Sequence, residues 1–428
     1  MLDIKFIRGN AEAVQKGIKS KGSDIDVKHI LEIDNQQREF SLSVQKLREE
    51  RNVVSREKDI EKGKKIKEKL EKEEHELRSL EERLRELLLK IPNLPLKHVP
   101  IGEDSKNEVI KKVGEVKKFD FEPRDHLTLG ESLDIIDVVR AAKVSGSRFG
   151  YLKNEGVLLE FALIQFVVEK LTQEGFTPLI PPVLIRREIT DGLGYWQAGG
   201  NENYYFVRDY ELSEDEQVKS LDLYLSGTGE HSTVPMHKDE VFAEKDLPKR
   251  YVIFSSCFRR EAGTYGKDTR GIFRVHQFDK VEMVSFVKPE DDRKEREKLL
   301  FLVEKMMQDL GLPYQLVRLA SGDLGFPSAE TVDIETWIPS QKKYRETHSI
   351  STTTDFQARR LNIKFQEGNE KKFVHILNGT AFAIGRTIIA ILENYQEKDG
   401  SVIIPKILQK YLPAGRQVIG KTVIKPKK

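Results

Sequence analysis

Arg259 and Glu261 stand two residues apart in "CFRREA", and a second set, Phe278, Lys280 and Glu282, alternates through "HQFDKVEMV". Side chains two apart on a strand face the same way, so each set shares one face of an extended segment. An arginine fixed on a strand is a fork for phosphate or carboxylate. A glutamate beside it can accept from an amino group, and a phenylalanine face can stack a base. Together these residue types describe a nucleotide site; the alternative is an exposed salt-bridged ribbon, the commoner fate of alternating charge. Between the two runs lies "GTYGKDTRG", whose three glycines and Asp268 suit a long hairpin loop.

Arg386 is a second signal. An arginine inside the apolar run "AFAIGRTIIAIL" is costly to bury unless it meets an anion or a π face. The chain carries neither G-x-x-x-x-G-K-[ST] nor a complete G-x-G-x-x-G, so a phosphate-cradling glycine loop is not the basis of the site. His231, His237 and His276 lack a partner cluster at helical spacing and read as ordinary polar residues. "HSISTTTD" has no nucleophile elbow to support a Ser/His/Asp triad.

The elements that must position these residues can be read from periodicity. Strand patterns cover "RYVIFSSCFR", "FRVHQFDKVEMVSFV", "SAETVDIETWI" and "KFVHILNG", and "FTPLIPPVLI" reads as a strand whose prolines confine it to a sheet edge. Helical patterns cover "EGVLLEFALIQFVVEKLTQEG", "DRKEREKLLFLVEKMMQDLG" and "AFAIGRTIIAILENY". Strands outnumber helices without regular crossover spacing, which favours an antiparallel α+β domain over a doubly wound one.

Ahead of this body lies the strongest periodicity. Ile33, Phe40, Leu47 and Val54 are spaced by seven, with Ile30 and Val44 between them. A second seam, Leu70, Leu77, Leu84 and Ile91, is closed by Pro92. Two seams of similar length imply an antiparallel helical hairpin over about 27–91, with Gly63 offering the left-handed position for the chain reversal. Lys62, Lys64, Lys65 and Lys67 crowd its tip, which suits a phosphate backbone; Asp59, Glu61 and Glu68 beside them equally suit a solvated spacer rod. Residues 91 to about 110 read as a linker, dividing an N-terminal domain (1–105) from the body (106–428).

With 428 residues, 33% charged and 38% hydrophobic, the chain can bury a substantial core. A net charge of +2 means that any nucleic-acid contact must come from local basic clusters. The single cysteine, Cys257, suits a reducing compartment and excludes an internal disulfide. "MLDIKFIRGN" lacks a secretory signal's apolar region, and no apolar stretch is long enough for a bilayer, so a cytoplasmic protein is expected.

Taken in order, these segments resemble the seryl-tRNA synthetases, a family of class II aminoacyl-tRNA synthetases. "FRREAGTYGKDTRGIFRVHQFDKVEMV" resembles the family's motif 2, "NGTAFAIGRTIIAILENYQ" its motif 3 and "GFTPLIPPVLI" its motif 1. "TGE" at 228–230 stands where the family usually reads "TAE", and "DFQARRLNIKF" is similar to a further signature. The resemblance implies a six-stranded antiparallel catalytic sheet, a homodimer joined through motif 1, and a hairpin that grips tRNA(Ser). The activity implied is ATP-dependent formation of seryl-adenylate and transfer of serine to tRNA(Ser), with tRNA(Sec) as a further candidate.

It also implies residue roles. Arg259 would hold the α-phosphate and the serine carboxylate, Glu261 would accept from adenine, and Phe278 and Arg386 would sandwich the base. Glu346 and Ser349 would hold Mg2+. Thr228, Glu230, Glu282, Asn378 and Thr380 would form the serine pocket. Two departures stand out: "THSISTTT" replaces the more usual serine-rich segment and puts His348 where a serine is common, and a lone cysteine argues against the zinc-dependent form. The competing reading is an inactive synthetase-like paralog that binds RNA; retention of Arg259, Glu261, Glu346 and Arg386 argues against it.

Overall fold

Two compact units divide the chain, Met1–Leu94 and Pro95–Lys428. The computed structural model describes residues 1–195, 200–210, 220–261, 270–412 and 423–426. The glycine-containing loop expected over 263–271 lies outside them except for Arg270 and Gly271, and so does the C-terminal "KTVIKPKK" apart from 423–426.

In the first unit, α1 (Val27–Glu57) and α2 (Ile60–Leu89) form the expected hairpin. Asp26 and Asp59 cap them, their carboxylates accepting from the backbone N–H groups of Lys28 and Lys62. The seams meet: Ile33, Val44, Leu47 and Val54 of α1 are buried, as are Ile66, Leu70 and Leu84 of α2. Arg48 reaches Glu74 at 2.8 Å across the pair. Each fully buried side chain of this kind contributes about 1.5–3 kcal/mol, and the rest of the surface is charged. The reversal falls at Lys58, which adopts φ 59°, and not at Gly63. Asp59 restarts the helix at once, and Gly63 lies inside α2, facing the Val54 side chain.

The second unit is built on one eight-stranded sheet. Its strands are β1 (Glu108–Val113), β2 (Thr177–Leu179), β3 (Lys249–Phe258), β4 (Gln277–Val287), β5 (Tyr314–Arg318), β6 (Glu330–Ile338), β7 (Lys343–Thr352) and β8 (His375–Ala383). They lie in the order β1-β5-β6-β7-β8-β4-β3-β2. The central six are antiparallel, matching the sheet the family resemblance implies. One strand is added at each edge: β1 pairs antiparallel with β5, and β2 runs parallel to β3. Glu108–Val113 therefore corrects the linker reading, which ran to about residue 110. Its residues are almost all exposed, and Lys111 and Lys112 charge the free edge in the way edge strands commonly avoid further pairing.

One face of the sheet is covered by α3 (Glu155–Gln173), α4 (Asp292–Leu310) and α5 (Ile384–Asn394), which share a core with Val281, Met283, Ile334, Ile350 and Phe382. Within it Phe166 of α3 stacks on Phe382 of β8, ring centres 6.2 Å apart. The other face carries a smaller apolar cluster around Ile253, Val284 and Phe286 and, beyond it, the polar residues described below. β7 gave no strand signal because polar residues occupy both of its faces, Tyr344 and Ile350 apart, so the alternation of apolar and polar residues is absent. No helix among the described residues is long and apolar enough to cross a membrane.

Candidate active site

A cavity of about 750 Å³ opens on the sheet face away from the three helices. All eleven residues singled out in the body of the sequence line it: Arg259, Glu261, Phe278, Glu346, Ser349 and Arg386, together with Thr228, Glu230, Glu282, Asn378 and Thr380. The four lysines of the hairpin stand elsewhere, exposed on the first two turns of α2; Lys67 lies 3.8 Å from Glu71.

Two register shifts in the sheet aim these side chains. Glu346 and Ser349 are three residues apart, an interval that on a regular strand would point them to opposite faces. Between them the pairing shifts: His348 lies opposite Ile334 and Glu346 opposite Glu335, leaving Thr347 as an extra residue. This bulge turns both Glu346 and Ser349 to the cavity. His348 goes to the helical side, 5.3 Å from the Phe382 ring, where burial pushes its pKa down to about 3. The histidine that departs from the family pattern is thus a neutral core residue and lines no part of the cavity. A second shift on β8 pairs Phe382 with Val281 but Thr380 with Glu282. With Ala381 as the extra residue, Asn378, Thr380 and Ala383 all reach the cavity while Phe382 packs in the core.

β4 behaves as its alternation predicts, with Phe278, Lys280 and Glu282 on the cavity face. Arg259 and Glu261 reach the cavity by another route. The strand that should carry them ends at Phe258, and Glu261 takes a left-handed φ of 49°. They are held instead by side-chain and main-chain bonds. Arg259 Nε donates to the Gly227 carbonyl at 3.1 Å, and its guanidinium lies 5.5 Å from the Phe278 ring centre. Glu261 accepts from Arg274 Nη1 at 3.1 Å.

One end of the cavity is arranged for anions and a planar ring. Arg386, in the first turn of α5, lies 3.0 Å from the Glu346 carboxylate and donates to the Glu346 carbonyl at 2.9 Å. Its guanidinium sits 4.9 Å from the Phe273 ring centre. The arginine in the apolar run therefore meets both a carboxylate and a π face. The walls of the cavity desolvate the Glu346 carboxyl and work to raise it, but Arg386, with Arg259 and Arg274 beyond, holds it below its ordinary value.

The other end suits a small group with an ammonium and a hydroxyl. Thr228 donates to Glu282 at 3.0 Å, and Lys280 pairs with the same carboxylate, which is only 2% exposed. Glu230 accepts from the Tyr195 hydroxyl at 2.9 Å and from Gln357 at 2.8 Å. Burial pushes the Glu230 pKa up to about 6, opposed by the Gln357 bond and reinforced by Glu282. Asn378 Nδ2 is buried with no hydrogen-bond partner among the described residues, a donor awaiting an acceptor.

Sequence reasoning missed several lining residues: Tyr195, Tyr204, His231, Phe273 and Arg274. His231 is no ordinary polar residue; it forms part of the wall, with Tyr195 and Tyr204 rings 4.9 and 5.4 Å from its own. Phe273 and Arg274 lie inside "IFRVHQF" and share its charged-aromatic signal. Tyr195 and Tyr204 carry no local signal.

Two phenylalanine rings with arginines over them, a third arginine and a small acidic pocket suit a nucleotide joined to a small amino compound, and comparison with known proteins agrees. Residues 1–95 match the seryl-tRNA synthetase N-terminal domain, and residues 210–395 match the class II tRNA synthetase core domain (G, H, P, S and T). The chain is 44% identical over 443 aligned residues to a serine-tRNA ligase of Dictyoglomus thermophilum, covering 100% of both. Among solved structures it is similar to the Pyrococcus horikoshii seryl-tRNA synthetase complexed with ATP, at 39% identity and a TM-score of 0.90, again over 100% of both chains. It is also similar to the cytoplasmic serine-tRNA ligase of Naegleria fowleri in complex with AMP, at 29% identity and a TM-score of 0.89, covering 100% of this chain and 99% of that one.

Proposed function

The chain belongs to the seryl-tRNA synthetase family, ATP-dependent ligases that join serine to tRNA, and on that premise we propose how its cavity performs the reaction. In the first step an oxygen of the serine carboxylate attacks the α-phosphorus of ATP in line. A new O–P bond forms, the bond from the α-phosphorus to the bridging oxygen breaks, and pyrophosphate leaves. The attacking carboxylate is already ionised at neutral pH, so no enzymic base is needed. Catalysis is positioning and charge neutralisation.

Arg259 holds the serine carboxylate against the α-phosphate and stabilises charge that builds on the phosphoryl oxygens. Phe278 and Arg386 sandwich the adenine and Glu261 accepts from its amino group. Glu230 receives the ammonium. Glu282 and Thr380, with Thr228 and Asn378, partner the hydroxyl, and alanine is rejected because it would leave these buried groups unpaired. Threonine is excluded by its extra methyl, which supplies only modest discrimination.

The residues fit Mg2+: Glu346 is kept ionised and Ser349 shares its face, an all-oxygen pair of the kind that holds this ion together with substrate phosphates. Bound there, the ion would neutralise charge on the phosphates; Glu346 and Ser349 would orient it. For the transfer step, Lys62, Lys64, Lys65 and Lys67 contact the backbone of tRNA(Ser), and tRNA(Sec) is a further acceptor. The enzyme works as a homodimer in the cytoplasm. The edge strand β2 and the 78% exposed Ile180 that follows it support the dimer contact at motif 1.

The observation that carries this reading is the convergence of eleven residues from across some 160 positions on one cavity. Its test is amino-acid-dependent exchange of labelled pyrophosphate into ATP, with Mg2+ and each of the twenty amino acids in turn. Exchange with serine alone is expected. Exchange with none would move the assignment to the inactive RNA-binding paralog.

A further inference from the structure

His231 stands in the cavity wall, 3% exposed, yet the reaction described above gives it no part. Its Nδ1 accepts the Gly227 N–H at 3.2 Å. The carbonyl of the same glycine accepts Arg259 Nε at 3.1 Å. Gly227 has little freedom of its own: a Cβ there would lie 2.9 Å from the Tyr204 ring and 3.5 Å from the Phe258 carbonyl, so the backbone is pressed against both. On either side, Ser226 N–H is tied to the Val183 carbonyl and Thr228 to Glu282. The histidine therefore fixes the peptide that enters Gly227, the residue whose carbonyl, in the next peptide, aims the arginine.

We infer that His231 is a positioning residue for Arg259, acting through the main chain of Gly227. Two features suit the imidazole to this task. Its ring is clamped by Tyr195 and Tyr204, which costs the side chain little further entropy on binding. It also stays neutral: burial, with Arg259 and Lys280 nearby, pushes its pKa down to about 3, so Nδ1 keeps its lone pair at neutral pH and the ring proton resides on Nε2. Without that acceptor the Gly227 N–H would be left buried and unpaired; the Ser226–Gly227 peptide would shift to seek another partner, and the adjoining Gly227–Thr228 peptide, which carries the arginine's anchor, would shift with it through the two dihedrals of the glycine. Arg259 would lose aim rather than charge.

This inference rests on the reading of Arg259 as the residue that holds the α-phosphate, and the experiment separates the two. Serine-dependent pyrophosphate exchange is measured for His231→Leu, His231→Asn, Arg259→Lys and the Leu/Lys double variant, with melting temperatures alongside. Asparagine places Oδ1 where Nδ1 stood, while leucine removes the acceptor and keeps the bulk. The expected result is a loss of about tenfold in kcat/KM for His231→Leu, mostly in kcat, with recovery to within about threefold in His231→Asn. In the Arg259→Lys background, where Nε is absent, His231→Leu should cost less than about twofold more. Should the leucine variant fail to fold, His231→Phe, which keeps a ring and lacks the acceptor, takes its place: a loss that asparagine restores supports the role, and no loss overturns it. Equal losses for leucine and asparagine at unchanged melting temperature, or losses that simply multiply in the double variant, would overturn it. Full activity in Arg259→Lys would instead overturn the reading of the arginine.

Discussion

The hairpin and the catalytic sheet carry their charges in opposite ways. Lys62, Lys64, Lys65 and Lys67 stand in water on a helix held by a narrow apolar stripe, with acidic residues one turn away. In the cavity, Glu282 is 2% exposed and already engaged by Thr228, and Arg259 is held by a carbonyl and faces a phenyl ring. Exposed lysines are screened by salt and free to move, so they contribute affinity by number rather than by placement. Groups held at fixed geometry around a cavity act through placement, and a small error in one of them is expensive. One chain thus combines an adaptable grip with a rigid centre.

The comparison is broken most severely at its rigid end. Arg259→Ala should lower serine-dependent pyrophosphate exchange by about a thousandfold with the melting temperature little changed; a loss under tenfold would mean that the cavity's charges are as interchangeable as the hairpin's. At the adaptable end, replacing Lys62, Lys64, Lys65 and Lys67 together by alanine should leave exchange untouched. It should raise the KM for tRNA(Ser) by about tenfold at moderate salt and reduce the dependence of binding on log salt by about one unit per lysine lost. A fall in exchange would show that the two regions are not separable. The smallest effect sharpens the point about buried charge. Glu230, with its pKa raised to about 6, holds its proton more tightly folded than unfolded. Its contribution to stability is therefore fully present below the ordinary carboxylate pKa and lost as pH rises through about 6. Binding of the serine ammonium needs the ionised form, so the KM for serine should fall several-fold between pH 5 and 7, and Glu230→Gln should abolish that slope.

What was legible in the sequence follows the same division. The hairpin was readable from Ile33, Leu47, Leu70 and Leu84, because a single stripe at a fixed period is the whole of its packing. Only its turn was misread, since the cap at Asp59 outweighed the freedom of Gly63. In the sheet, Phe278, Lys280 and Glu282 fell on one face as alternation requires. Glu346, Ser349, Asn378 and Thr380 could be named only through family resemblance, because the bulges that aim them leave no mark in a pattern of period two. Arg259 and Glu261 line the cavity for a reason the strand pattern does not contain: hydrogen bonds to Gly227 and Arg274, not a strand, set their direction. Tyr195 and Tyr204 were invisible, since proximity to Glu230 and Gly227 is a property of the fold alone.

The bulge at Thr347 also bears on how such a site can be lost. Deleting that single residue would leave Glu346 and Ser349 two apart, the interval at which a regular strand already points both to one face, whereas adding one residue after His348 would slide every later residue of β7 to the opposite side of the sheet. With such an insertion Ser349 would turn toward the core while Glu346 kept its place on the cavity side. A chain damaged in this way would still score as intact when checked residue type by residue type. Counting the interval between functional residues, as well as their identities, is what separates a working copy from a silent one.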